Sequence, residues 1–321
     1  MNFLRGGLIA GLSLASVALG STSVLAATPS AGAPDGTPQL LTELQFTSAS
    51  SAGTNAAIAA VAQNAAGWTF AAQHGGSISV QATQGPAGDT VYALEGSYPA
   101  PPSGGEYIDA DYDVSNLNTE DIYIEFWAKM PGVKEGCKFV KIFGKRITPA
   151  NPTNYADTTF LADYTGANYG ALRQVSFGDG TTLVNDTQNA INLDGTNPQG
   201  IGRSYGTAVV NTPQMSTFSS QDWGTGWHHF WIHVKFNGGT TSQNEVPNGE
   251  VYLKIDNKVY VDATGLYNRN PANEPIDYIG FFGWAQTELQ AFQLWYYDVR
   301  ISTGGFMSQT LPDPPTNVAA Q

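Results

Sequence analysis

The sequence has only one cysteine, Cys137, in 321 residues. One cysteine cannot form an intramolecular disulfide, so the stability of the fold must come from a packed core, with or without a bound metal ion. No obvious general base lies beside Cys137 in the sequence to activate a thiolate. We therefore interpret Cys137 as a buried structural thiol rather than a nucleophile.

Basic residues are also scarce. The chain carries 14 Lys and Arg against 27 Asp and Glu, which gives a formal net charge of −13. Nucleic acid and anionic membrane surfaces repel such a chain, and no Lys/Arg block offsets the charge, so we predict neither as a partner. An acidic polymer stays open as a ligand, because a local cluster of bases can oppose the global charge.

The sequence also lacks common cofactor-binding motifs and, after residue 26, membrane-spanning apolar runs. The sequence has no P-loop, GxGxxG or HExxH pattern, and we predict no organic cofactor. After residue 26, no apolar run is long enough to span a bilayer. Residues 1–26 combine Arg5, an apolar stretch and a small residue at Ala26, the pattern of a secretory signal peptide. We predict a secreted protein, extracellular or periplasmic, without membrane insertion after cleavage.

The rest of the sequence consists of short alternating segments bounded by Gly, Pro, Asn and Asp. Ten or more such segments without a convincing long helix predict an all-β fold, a two-sheet antiparallel sandwich or jelly roll. We expect an N-terminal segment with a first strand (27–66), a jelly-roll domain (67–303) and a C-terminal tail or linker (304–321). Residues 147–171 are predicted to form a long loop.

Two of the predicted strands repeat one arrangement. Because side chains alternate across a strand, "WHHFWIHVKF" and "DIYIEFWAKM" each place aliphatic residues on one face and rings with ionisable groups on the other. We call this second set the ring-and-charge face: Tyr123, Glu125, Trp127, Lys129, His229, Trp231, His233 and Lys235. Exposed rings of this kind stack on sugars. The alternative is that loops cover the face and make it a second core layer.

The segment "KFVKIFGKR" is the densest basic patch of the chain. Its members, Lys138, Lys141, Lys145 and Arg146, suit recognition of carboxylate or sulfate groups. An edge strand protected from pairing by lysines is the alternative.

The order of several motifs resembles the concanavalin A-like lectin/glucanase superfamily, in particular exported polysaccharide lyases and laminin-G-like modules. The motifs are "DIYIEFWAKMP", "KFVKIFGKR", "GWHHFWIHVKFN", "NGEVYLKIDNKVYVDATGLYNR", "IDYIGFFGWAQ" and "LWYYDVRIS". The resemblance implies two curved sheets with the ligand on the concave face. It also implies a structural calcium ion held by Asp298 of the last strand, with Glu43 as a possible partner.

The glycoside hydrolases of this superfamily carry an E-x-D-x-x-E strand motif, which this sequence lacks, so hydrolysis by paired carboxylates is disfavoured. A shared transition metal is also disfavoured, because His229 and His233 lie about 13 Å apart along a strand. The resemblance favours a lyase on acidic glycans, in which a cation neutralises the uronate carboxylate and a Tyr or His removes a proton.

For this chemistry the candidate catalytic residues are His229, His233, Tyr123 and Lys141. Candidate substrate-binding residues are Trp127, Trp231, Glu125, Lys129, Lys235 and Gln286. Two other functions stay open, a non-catalytic carbohydrate-binding or adhesion module and a self-assembling structural surface protein.

Overall fold

A computed structural model describes most of the predicted sandwich. The described residues are 30–99, 105–131, 137–143, 157–163, 171–177, 188–192, 224–238, 246, 248–266, 275–285 and 291–310. Within those ranges, no helix has the length and apolar character needed to cross a bilayer.

The described ranges form strands joined by turns, with one short α-helix, α1 (Asn55–Val61). The first strands are β1 (Gln39–Phe46), β2 (Ala62–Gln63), β3 (Trp68–Ala72), β4 (Ser77–Gln84), β5 (Thr90–Tyr98), β6 (Gly105–Asp113), β7 (Asp121–Lys129) and β8 (Cys137–Phe143). The later strands are β9 (Asp157–Asp163), β10 (Ala171–Phe177), β11 (Gln188–Asn192), β12 (His228–Lys235), β13 (Gly249–Ile255), β14 (Lys258–Leu266), β15 (Tyr278–Ala285) and β16 (Phe292–Thr303).

These strands pair antiparallel in two sheets, which confirms the predicted all-β sandwich. One sheet has nine strands in the order β14-β13-β12-β7-β16-β1-β2, with β5 also beside β16 and β4 beside β5. The other has seven strands in the order β11-β10-β9-β8-β15-β6-β3. Because β1 pairs with β16, the predicted N-terminal segment contributes a strand to the nine-stranded sheet.

Large apolar side chains fill the space between the two sheets. Phe126 and Phe230 stack with ring centroids 5.1 Å apart, and Phe281 and Tyr296 meet edge to face from the two sheets at 5.1 Å. Such contacts supply the burial that a chain without a disulfide requires. The faces of the sheets that point away from this core are called their outer faces below.

The last strand changes partners along its length. Residues Phe292 to Tyr296 pair with β5, whereas Val299 to Thr303 pair with β1. Asp298, at the change, has a φ of 50° within an irregularity of the pairing with β7. Aspartate tolerates this left-handed conformation better than most residues. The conformation of the bulge is therefore by itself a reason for an aspartate at position 298.

Several details differ from the sequence-based expectations. The segment 147–171 contains strand β9, so the prediction of one long loop is wrong for residues 157–163. The short strands β2 and β3 and strand β11 were not predicted. Strands β13 and β14 form a hairpin, with Asp256 at φ 52° in its turn.

Candidate functional site

The ring-and-charge face lies on the outer face of the nine-stranded sheet, and both ends of the described chain cover part of it. Tyr123, Trp231 and Tyr252 pack with Ala31 and Phe306 in a second cluster away from the main core. Tyr123 donates from its hydroxyl to the carbonyl of Ala33 at 3.1 Å. The prediction of an open sugar platform is therefore wrong here, and the alternative of a covered second layer is what the structure shows.

His233 is fully buried beneath the N-terminal segment. Its Nδ1 bonds the carbonyl of Ala31, and its Nε2 lies 2.7 Å from Oδ1 of Asp121. A carbonyl only accepts, so Nδ1 donates, and a second proton must lie between Nε2 and Asp121. His233 and Tyr123 are thus held away from any substrate, which contradicts their predicted catalytic roles.

Asp35, Asp121 and His233 bring three potential metal-ligand atoms within 4.8 Å of one another. Lys235 supplies a positive charge beside them, because its Nζ lies 2.9 Å from Asp35 and 3.7 Å from Glu250. Burial opposes ionisation of Asp35, yet the hydrogen bond with Lys235 holds its pKa below the ordinary value. Burial raises the pKa of Asp121. Lys235, predicted to bind substrate, therefore fastens the N-terminal segment to the sheet.

His229 lies between two indole rings. Its ring stacks on Trp127 at 4.4 Å and is tilted against Trp231 at 3.7 Å. Its Nε2 is 3.7 Å from Oε1 of Glu125, longer than a hydrogen bond, and Glu125 accepts from the amide of Ser308. Only 9% of His229 is exposed, and burial lowers its pKa to about 3. His229 is therefore neutral and packed between the two indoles, and Glu125, which is 2% exposed, is covered by Ser308.

The burial of His229 predicts a loss of stability in acid. Below its ordinary pKa of about 6.5 the unfolded chain takes up a proton, while the folded chain does so only near the lowered value, so folding becomes less favourable as pH falls. Between pH 7 and about pH 5 we expect a loss of about 2 kcal/mol from this group. His229→Phe, which keeps a stacking ring, is expected to remove that share in urea unfolding at both pH values.

The exposed His74 provides the matched control, since His74→Asn should leave the acid loss unchanged. An equal acid loss in His229→Phe and the natural protein would contradict the assignment to His229.

Lys129 lies between two further indoles on the same face. Its Nζ is 4.6 Å from the ring centre of Trp227 and 4.5 Å from that of Trp295, and it donates to Thr83 at 2.7 Å. Burial lowers its pKa. Cation–π contacts of this kind stabilise the sheet surface. Trp127 is half-buried beside His229.

Glu43 and Asp298, the predicted calcium ligands, do lie side by side, but Arg300 bridges them. Its Nε is 2.8 Å from Glu43, and its Nη2 is 2.9 Å from Asp298. Gln45 donates to both carboxylates, at 3.1 and 2.8 Å. As arranged, this donor set does not fit a calcium ion, because the guanidinium already supplies the positive charge.

We therefore expect neither calcium nor a chelator to shift the thermal unfolding midpoint of the natural protein. In Arg300→Ala the two carboxylates lose their counter-charge, and we expect a calcium-dependent rise in the midpoint. Differential scanning fluorimetry with calcium, with chelator and with magnesium as the control checks both outcomes. A chelator-induced fall in the natural protein would restore the predicted calcium site.

Lys141, one of the candidate catalytic residues, lies on the seven-stranded sheet. It extends from β8 on the outer face of the seven-stranded sheet, directly across from Gly280 of β15, and Asp111 of β6 faces Gly280 from the other side. A Cβ at Gly280 would lie 2.8 Å from Oδ1 of Asp111 and 3.5 Å from Cε of Lys141. Because Gly280 has no side chain, the side chains of Asp111 and Lys141 can both occupy the space over it on the outer face. Lys141 is 5% exposed.

Several of the predicted residues cannot be placed among the described side chains. Gln286 lies outside the described residues, as do Lys145 and Arg146, and nothing is described of the side chains of Lys138 and Cys137. Sequence reasoning missed Asp121, Asp35 and Arg300. Period-two alternation places Asp121 with Tyr123 and Arg300 with Asp298, but only the fold brings Asp35 to them.

No family model matches the sequence, and no curated protein matches it. Among solved structures, the chain is similar to a mutant of the alginate lyase Aly36B in complex with an alginate tetrasaccharide. The TM-score is 0.51 at 11% identity, covering 83% of this chain and 98% of that one. A glucuronan lyase from the fungus Trichoderma reesei matches at TM-score 0.48 and 10% identity, over 83% and 96% of the two chains.

A likeness at this identity shows the fold alone. Together with two antiparallel sheets and the first and last strands paired in one of them, it agrees with the resemblance read from the sequence motifs. The chain therefore has the concanavalin A-like jelly-roll fold.

Proposed function

We propose that this protein engages acidic polysaccharide on the outer face of the seven-stranded sheet and cleaves it as a lyase. The observation that carries the proposal is Lys141, a buried cation beside Gly280 and Asp111 on the face that points away from the core. In a chain of net charge −13, a positive charge held in a sheet face suits a uronate carboxylate.

The chemistry assigned to this face is β-elimination. Lys141 neutralises the uronate carboxylate, which stabilises the negative charge that develops when a base removes the C5 proton. The C4–O bond then breaks, the leaving oxygen takes up a proton, and a C4–C5 double bond forms.

Tyr278 is our candidate for the base. It lies two residues before Gly280, so it points to the same outer face, and it is partly exposed. A phenol can serve as a general base when a nearby cation favours its ionised form.

One similar solved structure supports the acidic substrate, because it holds an alginate tetrasaccharide, an acidic glycan. Residues 1–26 have the signal peptide pattern, so we also propose that the protein is secreted to where such polymers occur.

The test is the ultraviolet absorbance of the unsaturated uronate that elimination produces. The protein lacking residues 1–26 is incubated with alginate, polyglucuronate, polygalacturonate and hyaluronan, with and without calcium. A rise on one polymer supports the lyase and identifies its substrate. No rise, with the same polymers still retarding the protein in an affinity gel, would overturn the lyase and leave a non-catalytic binding module.

A further inference from the structure

A polar groove lies at the edge of the nine-stranded sheet, whereas Lys141 belongs to the seven-stranded sheet. It has a volume of about 410 Å³, and its polar lining comprises Ser51, Ser77, Ser79, Gln81, Glu95 and Ser97. Five of these come from β4 and β5 and alternate with the core residues of those strands, so they share the outer face. The groove is therefore built on regular strands.

The groove continues into an aromatic surface. Ser79 stands opposite Glu95, Glu95 opposite Trp295, and Trp295 opposite Lys129, so one row crosses four strands. Trp295 is partly exposed. A polar groove that ends at an indole matches what a sugar ring needs, hydrogen bonds at its edge and an apolar surface for its C–H face.

The polar groups at the centre of the groove are already oriented. Oε1 of Glu95 accepts from Nε2 of Gln293 at 2.5 Å and from Oγ of Ser97 at 3.2 Å. Gln81 donates to Oγ of Ser79 at 3.1 Å. Side chains fixed by such bonds lose less conformational freedom when a ligand arrives, which favours binding.

The charge of the lining selects among glycans. Glu95 is the one charged residue among those that line the groove in the described part of the chain, and it is acidic. Lys129 lies at the other end of the row, beyond Trp295 and outside the lining of the groove. Within the groove, the carboxylate repels a uronate but accepts hydrogen bonds from neutral hydroxyl groups. We propose that this groove is a second glycan site, which binds a neutral polysaccharide independently of the proposed lyase face.

Affinity electrophoresis of the protein in gels containing a soluble neutral β-glucan, a galactomannan or alginate tests the proposal. We expect at least one neutral polymer to retard the natural protein. Ser79→Tyr, which fills the groove, and Glu95→Ala, which removes its carboxylate, should each weaken the apparent Kd for that polymer about tenfold or more. Lys141→Met should retain it fully.

The outcomes of these gels either support or overturn the proposed second site. Neutral polymers that fail to retard the natural protein overturn the proposal, as does retardation that persists in Ser79→Tyr. If Glu95→Ala fails to fold by circular dichroism, Ser79→Tyr carries the test, because Ser79 is partly exposed and a larger side chain is tolerated there. Product absorbance on uronate polymers reports the lyase separately, so the failure of one proposal is not the failure of the other.

Discussion

His233→Ala is expected to lower the free energy of unfolding by about 3 kcal/mol, because it removes a fully buried ring and leaves that ring's hydrogen-bond partners unsatisfied. The substitution leaves the Asp121 carboxylate facing a cavity, and it removes the bond that holds Ala31 and the N-terminal segment on the sheet. It also removes the ring that stacks on Tyr123 at 4.0 Å. Urea unfolding followed by circular dichroism measures the change.

Two companion variants separate the causes. His228→Ala removes a partly exposed histidine paired with Asp256, so we expect a loss of only about 1 kcal/mol or less. In the double variant Asp121→Asn/His233→Ala the stranded charge is gone, and part of the stability should return. If His233→Ala lowers the free energy of unfolding no more than His228→Ala does, the contact of His233 with Ala31 does not hold the N-terminal segment on the sheet.

Lys141→Met is expected to lower the rate of elimination by about 10²–10³-fold on whichever polymer the natural protein degrades. Methionine keeps much of the length and apolar character of the lysine stem but cannot neutralise a uronate carboxylate. The loss should appear in kcat/KM from initial rates of product absorbance, with the unfolding free energy measured alongside.

Lys258→Met is the matched control for charge, because Lys258 is an exposed lysine on the hairpin of the other sheet. We expect its rate to stay within about twofold of the natural protein, since exposed charges far from a site act only weakly through screened fields. Full activity in Lys141→Met would remove this residue, and the face it marks, from the account.

The fold was predictable from the sequence because alternation and turn residues act locally. The strands β7 and β12 show this well. Their aliphatic residues do face the core, and their rings and charges do face the other way. Two strands that the sequence analysis missed gave only weak local signals. Strand β3 has only five residues, and β9 lies in a stretch rich in Asn, Thr and Gly, a composition that indicates a loop.

The candidate site was harder to predict, because alternation assigns a residue to a face without saying what lies over that face. His229, His233 and Tyr123 were correctly grouped, but the Ala-, Ser- and Gly-rich segment that covers Tyr123 and His233 gives no periodic signal. Likewise, Arg300 was not recognised as the counter-charge for Glu43 and Asp298, because only the pairing of β1 with β16 brings Glu43 opposite Arg300. Contacts between residues 90 to 257 positions apart along the chain decide both cases.

The claim that acidic polysaccharide binds the seven-stranded sheet is tested most directly by hydrogen exchange of Tyr278→Phe with and without the polymer that the natural protein degrades. This variant is used because it lacks the proposed base but keeps Lys141, so it should bind the polymer without cleaving it. The account predicts slower exchange in peptides that span β6, β8 and β15, and no change in peptides that span β7 and β12. Slower exchange confined to β7 and β12 would contradict it, and would return the ligand to the ring-and-charge face.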